Sequence, residues 1–256
     1  MISSAPNCCS AAASGEILAV PRAFECVSMI GKGCVITIGG NEDKSAAHSS
    51  LLAEFVRLAG GSDARLIVIP SASEAPVRRA EQYVRLFATL GAAAIHVVHA
   101  ETRVTPDDLL LIENATGIFV TGGDQEKLMA CLRPTGCADA ILNAVRAGAV
   151  YCGTSAGAAA ACKTMLFEHG NVIRFAEGLG LLPAVIIDQH FSERQRLPRL
   201  LEAVTKHGLT GVGVDENTAV VWKRGGDVRV RGASRVTVVA PGAEIRVAAN
   251  GDRLPV

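Results

Sequence analysis

Ser155 stands in Gly153-Thr154-Ser155-Ala156-Gly157, directly after the apolar run Ala147 to Cys152 and before Ala156-Gly157-Ala158-Ala159-Ala160-Ala161. This order reads as a strand, a sharp turn carrying a serine, and the opening of a helix. A glycine on either side lets the backbone bend tightly and keeps bulk away from the hydroxyl, which then projects beyond the end of the sheet. The backbone N–H groups that follow, that of Ala156 first, face whatever the hydroxyl attacks, and the helix start adds partial positive charge there. The chemistry on offer is nucleophilic attack at a carbonyl. The same pentapeptide also describes a plain tight turn, so a partner elsewhere in the chain has to decide.

A serine hydroxyl is unreactive at neutral pH until a base takes its proton, and histidine is the usual base. Of the six histidines, His96 lies inside an apolar strand, His99 at its end, and His48 and His207 in or beside predicted helices. His190 differs. It closes the apolar run Ala184-Val-Ile-Ile187 within Asp188-Gln189-His190-Phe191, at the carboxyl end of a strand, where parallel sheets place their sites. It is the expected base, and His169, in the loop after the elbow helix, is the competitor.

Arg194-x-Arg196-x-x-Arg199 follows and leads into a helix reaching about Thr205. Such a cluster can be no more than a solvated basic face. Beside a candidate base it also offers planar, bidentate capture of a carboxylate, and Asp188 can meet a cationic group on the same ligand. Opposite charges this close together suit a zwitterionic substrate, such as a peptide with acidic and basic side chains. Gly122-Gly123-Asp124-Gln125 ends another apolar strand and opens a helix. Its paired glycines expose backbone N–H groups, that of Gly123 among them, which fit an oxyanion hole, a carboxylate site or a tight turn. Gly39-Gly40-Asn41-Glu42-Asp43-Lys44 is read as a charged turn capping a helix in preference to a second ligand loop.

The elements that must position these residues alternate along the chain. Cys34–Ile38, Arg65–Ile69, Ala94–Val98, Gly117–Thr121 and Ala149–Cys152 are short apolar runs, separated by amphipathic stretches such as Ala46–Leu58 and Ala75–Leu90. Continuous apolar strands divided by helices of ten or more residues mean parallel strands covered on both faces. The expected fold is a doubly wound, mostly parallel α/β sheet with its sites at the carboxyl ends of strands. After about residue 205, short strands at 212–214, 218–222, 228–230 and 236–239 divided by Gly-rich turns read as an antiparallel C-terminal extension of the same domain.

At 256 residues one large domain is expected over residues 29–256, with residues 1–28 as a poorly ordered tail. Lys+Arg and Asp+Glu balance at 25 each, so no global field favours nucleic acid or an anionic membrane. No apolar run reaches the roughly 18 residues of a membrane helix, and the tail lacks the basic start and apolar stretch of a secretory signal. The eight cysteines form no C-x-x-C pair, and several sit in apolar segments, which reads as reduced thiols in a cytoplasmic protein. Neither a metal nor a cofactor is implied. A homodimer is compatible with the sequence but not specified by it.

Gly39-Gly-Asn-Glu-Asp-Lys44, Thr121-Gly-Gly-Asp-Gln125, Gly153-Thr-Ser-Ala-Gly157, Asp188-Gln-His-Phe191 with its three arginines, and Gly213-Val-Asp-Glu-Asn-Thr218 occur in one order over about residues 34 to 240. In this the chain resembles the cyanophycinases, in the serine peptidase family that also contains dipeptidase E. The resemblance implies a fold like class I glutamine amidotransferases, Ser155 as nucleophile and His190 as base. It also implies a pocket of Gln125, Asp188, Gln189, Arg194, Arg196 and Arg199 for β-Asp-Arg units. Cyanophycinases cut cyanophycin, a polyaspartate with arginine on each side-chain carboxyl, to β-Asp-Arg dipeptides. Dipeptidase E-like cleavage of α-Asp dipeptides and a weakly active binding homologue are the alternatives. The family carries a catalytic Glu in a longer loop ahead of the segment matching Gly178-Leu179-Gly180. Here that loop is shorter, which makes Glu168 the first candidate to orient His190 and Glu177 the second.

Overall fold

The computed structural model describes residues 30–254 except 46, 171, 226 and 243. The expected tail at 1–28, with Cys8, Cys9 and Cys26, lies outside the described residues. The first half of the described chain runs β1 (Cys34–Ile38), α1 (Ser50–Leu58), β2 (Arg65–Ile69), α2 (Pro76–Thr89), β3 (Ala94–Val97), α3 (Pro106–Glu113) and β4 (Gly117–Val120). It continues through α4 (Gln125–Leu132), α5 (Cys137–Ala147), β5 (Val150–Thr154), α6 (Ala156–Ala160), β6 (Thr164–His169), β7 (Val172–Glu177) and β8 (Val185–Gln189). The remainder is α7 (Leu197–His207), β9 (Thr210–Val214), β10 (Thr218–Lys223), β11 (Asp227–Gly232), β12 (Arg235–Val239) and β13 (Ile245–Ala249).

The larger sheet has the order β11-β10-β1-β5-β4-β2-β3. Its β1, β5, β4, β2 and β3 are parallel, and β10 and β11 add to it antiparallel beside β1. Side chains alternate faces along each strand. Ile36, Ile38, Val68 and Phe119 therefore pack with Phe55 of α1 and Tyr83 and Phe87 of α2 on one face. Val35, Ile67, Ile118 and Val120 pack with Leu128 and Leu132 of α4 and Ile141 and Val145 of α5 on the other. Phe55, Tyr83, Phe87 and Phe119 form a ring cluster with centroids 4.5 to 6.0 Å apart. Each such buried aromatic is worth about 3–5 kcal/mol against truncation to Ala, which fixes α2 firmly to the sheet.

Two features of the second half differ from expectation. The C-terminal strands do not form one meander: β10 and β11 join the larger sheet, while β12, β13 and β9 form a second sheet with β8, in the order β13-β12-β9-β8. The strand that leads to His190 thus belongs to this second sheet, where it pairs with β9 in parallel. The segment after the elbow is also no simple loop. It is the antiparallel hairpin β6–β7, preceded by a helix of only five residues. The apolar Met165, Leu166 and Phe167 drive that hairpin into the core. Cys34, Cys131, Cys137 and Cys152 are free thiols. Among the described residues no helix is long and apolar enough to cross a membrane.

Candidate active site

The end of β1 anchors the site through three consecutive carbonyls. Ser155 donates its backbone N–H to Ile38 O (2.9 Å), His190 donates to Gly39 O (2.8 Å), and Asn217 donates to Gly40 O (2.9 Å). One short stretch therefore sets three chain segments, from two sheets, at fixed spacing. The glycines are required by closeness. A Cβ on Gly39 would lie 2.1 Å from Asp215 O, and one on Gly40 would lie 2.3 Å from His190 Cε1. The segment read as a charged turn is the clamp between the sheets.

Ser155 adopts φ 51°, ψ −109°, a conformation that L-residues enter only under constraint. The strain sits on the serine itself. Gly153 and Gly157 are needed for approach instead: a Cβ on Gly153 would meet Gly157 O at 2.2 Å, and one on Gly157 would meet Val120 O at 2.4 Å. Tyr151, fully buried, donates its hydroxyl to Gly157 O at 2.6 Å and locks the turn.

Ser155 Oγ lies 2.9 Å from His190 Nε2, and His190 Nδ1 lies 2.7 Å from Glu216 Oε1. The other carboxylate oxygen of Glu216 accepts from Asn41 Nδ2 at 2.9 Å, and its backbone N–H is held by Glu193 Oε1 at 3.1 Å. The hydrogen bond from His190 is the main force holding the Glu216 carboxyl below the usual carboxylate range. An imidazole with an anion at Nδ1 keeps its proton there, leaving Nε2 free to accept from the serine.

Glu168 does not occupy this position. It is on β6, and its Oε2 accepts from Arg199 Nη1 at 3.1 Å. Glu177 is exposed and pairs with Arg133, and His169 is exposed beside Glu126. The reason is topological: the hairpin lies on the arginine side of the cleft, while the segment joining β9 to β10 is hydrogen-bonded to the end of β1. Glu216 lies two residues past β9, in the Gly213–Thr218 segment. The carboxyl-end rule that pointed to His190 marks it equally well.

These groups line a cleft of about 740 Å³ together with Gly123, Gln125, Glu168, Gln189, Arg194, Arg196 and Arg199, well within the size range of small-molecule sites. Gln125, the first residue of α4, donates to Leu166 O at 2.8 Å and so ties that helix to the hairpin. Gly122 abuts the serine, a Cβ there falling 3.1 Å from Ser155 Cβ. Ala156 is fully buried at the start of α6, where backbone N–H groups lack helical partners.

Asp188 departs from its expected place. It is fully buried behind the arginines, bound by Arg199 through Nε (2.7 Å) and Nη2 and by Arg196 Nη1 at 3.3 Å. Two guanidinium groups already satisfy it, so it orients cations and does not receive one from a ligand. Burial pushes the Arg196 guanidinium down to about 10, still cationic at neutral pH. Gln189, next along β8, faces the cleft, and its Oε1 is buried with no hydrogen-bond partner among the described residues. A buried acceptor of this kind costs free energy unless a ligand donates to it.

The profile described as Peptidase family S51 matches residues 35–230. The chain is 38% identical over 222 residues to a cyanophycinase of Trichormus variabilis, covering 82% of this chain and 74% of that one. It is 37% identical over 222 residues to a cyanophycinase of Synechococcus elongatus, covering 82% and 69%. A Peptidase E of Streptomyces coelicolor is 30% identical over 142 residues, covering 50% of this chain and 57% of that one. Among solved structures, a peptidase from an acI-B1 Actinobacterium superposes with a TM-score of 0.70 at 19% identity, over 88% of this chain and 97% of the other, a likeness of fold alone.

Proposed function

We propose that this chain, which belongs to peptidase family S51 and is a serine-type peptidase, hydrolyses cyanophycin or related β-aspartyl-arginine peptides to β-Asp-Arg dipeptides. The observation that carries the reading is the line Ser155–His190–Glu216, opening into a cleft whose wall presents Arg194, Arg196 and Arg199.

In this reading His190 Nε2 takes the Ser155 proton as Oγ attacks the scissile carbonyl carbon. The oxyanion that forms is received by the backbone N–H groups of Gly123 and Ala156. Glu216 stabilises the imidazolium through Nδ1, and that imidazolium then passes its Nε2 proton to the departing amine. Water, deprotonated by the same nitrogen, attacks the acyl-serine, and Ser155 leaves with its proton restored. Arg194, Arg196 and Arg199 hold a substrate carboxylate. Asp188 keeps two of them in place, and Gln189 Oε1 receives an N–H of the bound peptide.

The cyanophycinase-like similarity runs over four-fifths of this chain, whereas similarity to Peptidase E covers about half of it. That favours β-Asp-Arg peptides over α-Asp dipeptides. Comparing initial rates on cyanophycin and on an α-Asp dipeptide tests this. We expect kcat/KM for the β-linked substrate to exceed that for the dipeptide by about a hundredfold or more, equivalent to roughly 2.7 kcal/mol of transition-state discrimination. Preference for the dipeptide would transfer the chain to the other activity.

A further inference from the structure

The cleft has a second wall that this mechanism does not use. Lys44, Arg79 and Tyr83 line it beside Glu42, on the side of the larger sheet where α1 and α2 pack. The charges in this wall are unequally matched. Glu42 is almost fully buried and accepts from the Tyr83 hydroxyl and from Thr154 Oγ1, one residue before Ser155. Its remaining charge is met by Lys44, whose Nζ lies 3.3 Å from Oε1 and also donates to Glu42 O at 3.0 Å. Burial and the neighbouring Glu42 push the Tyr83 phenol far above its ordinary range, so it remains a neutral donor.

Arg79 is left over. It is half-buried, and among the described residues its one side-chain hydrogen bond runs from Nη1 to Gln82 Oε1 at 3.2 Å. Among the described residues no carboxylate lies within ion-pair distance of it. On the far wall Arg196 and Arg199 are matched by Asp188 and Glu168, and Arg194 has no ion-pair partner among the described residues. One cleft thus presents two unmatched guanidinium groups from separate elements, α2 and the turn ahead of α7.

We propose that Arg79 is a second carboxylate-binding residue of this cleft, reading a carboxylate on a different β-Asp-Arg unit from the one held at Arg194. This rests on the substrate class proposed above. In a two-unit peptide the second carboxylate has two sources: the α-carboxylate of an arginine, or the free α-carboxylate at the end of the aspartate backbone. Either suits a planar guanidinium fixed on a rigid helix. Reading the backbone terminus would restrict cleavage to chain ends. Reading the arginine carboxylate would space the cut by units.

The test is binding of a two-unit β-Asp-Arg peptide to Ser155→Ala protein, with and without Arg79→Gln, alongside KM and kcat in the Ser155-intact forms. Loss of one charge-assisted pair should weaken Kd and raise KM about ten- to hundredfold while leaving kcat within about threefold. Arg79→Lys should recover part of the loss. Peptides amidated at the arginine carboxyls or at the backbone terminus identify the source, because amidating the carboxylate that Arg79 reads removes the difference between the two proteins. A Kd unchanged by Arg79→Gln overturns the proposal, as does a loss that persists unchanged with both amides. Cleavage of cyanophycin with a silent Arg79 would retain the substrate assignment and discard the subsite. Arg79-dependent binding without cleavage would do the reverse, and no measurable binding to either protein would remove both.

Discussion

Glu216→Gln is the sharpest perturbation of the proposed catalytic line, because it keeps shape and removes only charge. Two donors converge on the carboxylate, His190 Nδ1 at 2.7 Å and Asn41 Nδ2 at 2.9 Å. A glutamine has one acceptor oxygen and must turn its NH2 toward one of them. If Asn41, which is exposed, flips its own amide, the Gln oxygen stays on His190 and the correct tautomer survives. The loss is then the charge opposite a transient imidazolium, about 4 kcal/mol at roughly 4 Å in a surface-like dielectric, or about a thousandfold. If the NH2 faces His190, the ring protonates at Nε2 and cannot take the Ser155 proton, a change that costs about ten-thousandfold in the serine protease case. We expect kcat for dipeptide release to fall about 10³- to 10⁴-fold with KM nearly unchanged, followed by chromatography of the soluble products. Adding Asn41→Asp should return about tenfold, since a carboxylate at 41 can only accept and forces the Gln oxygen onto His190. Activity within tenfold of wild type, or a larger loss from Glu168→Gln, would refute the assignment of Glu216.

Gly40→Ala places a methyl 2.3 Å from His190 Cε1 at a backbone φ of +104°, so turnover should drop at least about a hundredfold through displacement of the ring, as kcat on cyanophycin would show. Asp188→Asn leaves the buried Arg196 without its anion and Arg199 with Glu168 alone, and this should cost about 3–5 kcal/mol of stability, visible as a lowered Tm in calorimetry. The Glu216 carboxyl is held below its ordinary range in the folded state. Its contribution to stability is therefore present above about pH 4.3, the unfolded value, and fades as pH falls through the lower folded value. Urea unfolding between pH 3 and 6 should show this acid limb, shallower in Glu216→Gln.

Ser155, His190 and the arginine cluster could be read from sequence because each carries a local sign: a strand that ends, a turn that must bend, a polar cluster at a strand terminus. Their meeting requires that strand ends of two sheets converge, which the carbonyls of Ile38 and Gly39 bring about by holding the backbone N–H groups of Ser155 and His190. Glu216 carries the same strand-end sign, two residues past β9, but nothing local pairs it with His190. It reaches His190 because β8 and β9 pair in a second sheet and Gly39 and Gly40 clamp both sheets together, a long-range fact that no local pattern contains. Glu168 was drawn in by closeness in sequence to the elbow, but the apolar Met165-Leu166-Phe167 run makes a hairpin that carries it to Arg199. Asp188 and Gln189 are neighbours at one strand end, and alternation sends them in different directions. Composition and position treat them alike. The side chain of Asp188 is sealed behind two arginines, and Gln189 lines the cleft.

The account rests most heavily on a serine peptidase centre acting on a β-Asp-Arg polymer. Purified protein incubated with insoluble cyanophycin, with mass analysis of the supernatant, tests it directly, using Ser155→Ala of unchanged thermal unfolding as the control. The account predicts β-Asp-Arg dipeptide released by the wild-type protein and none by Ser155→Ala. An intact polymer with wild-type protein, or equal release by the Ser155→Ala form, would contradict it.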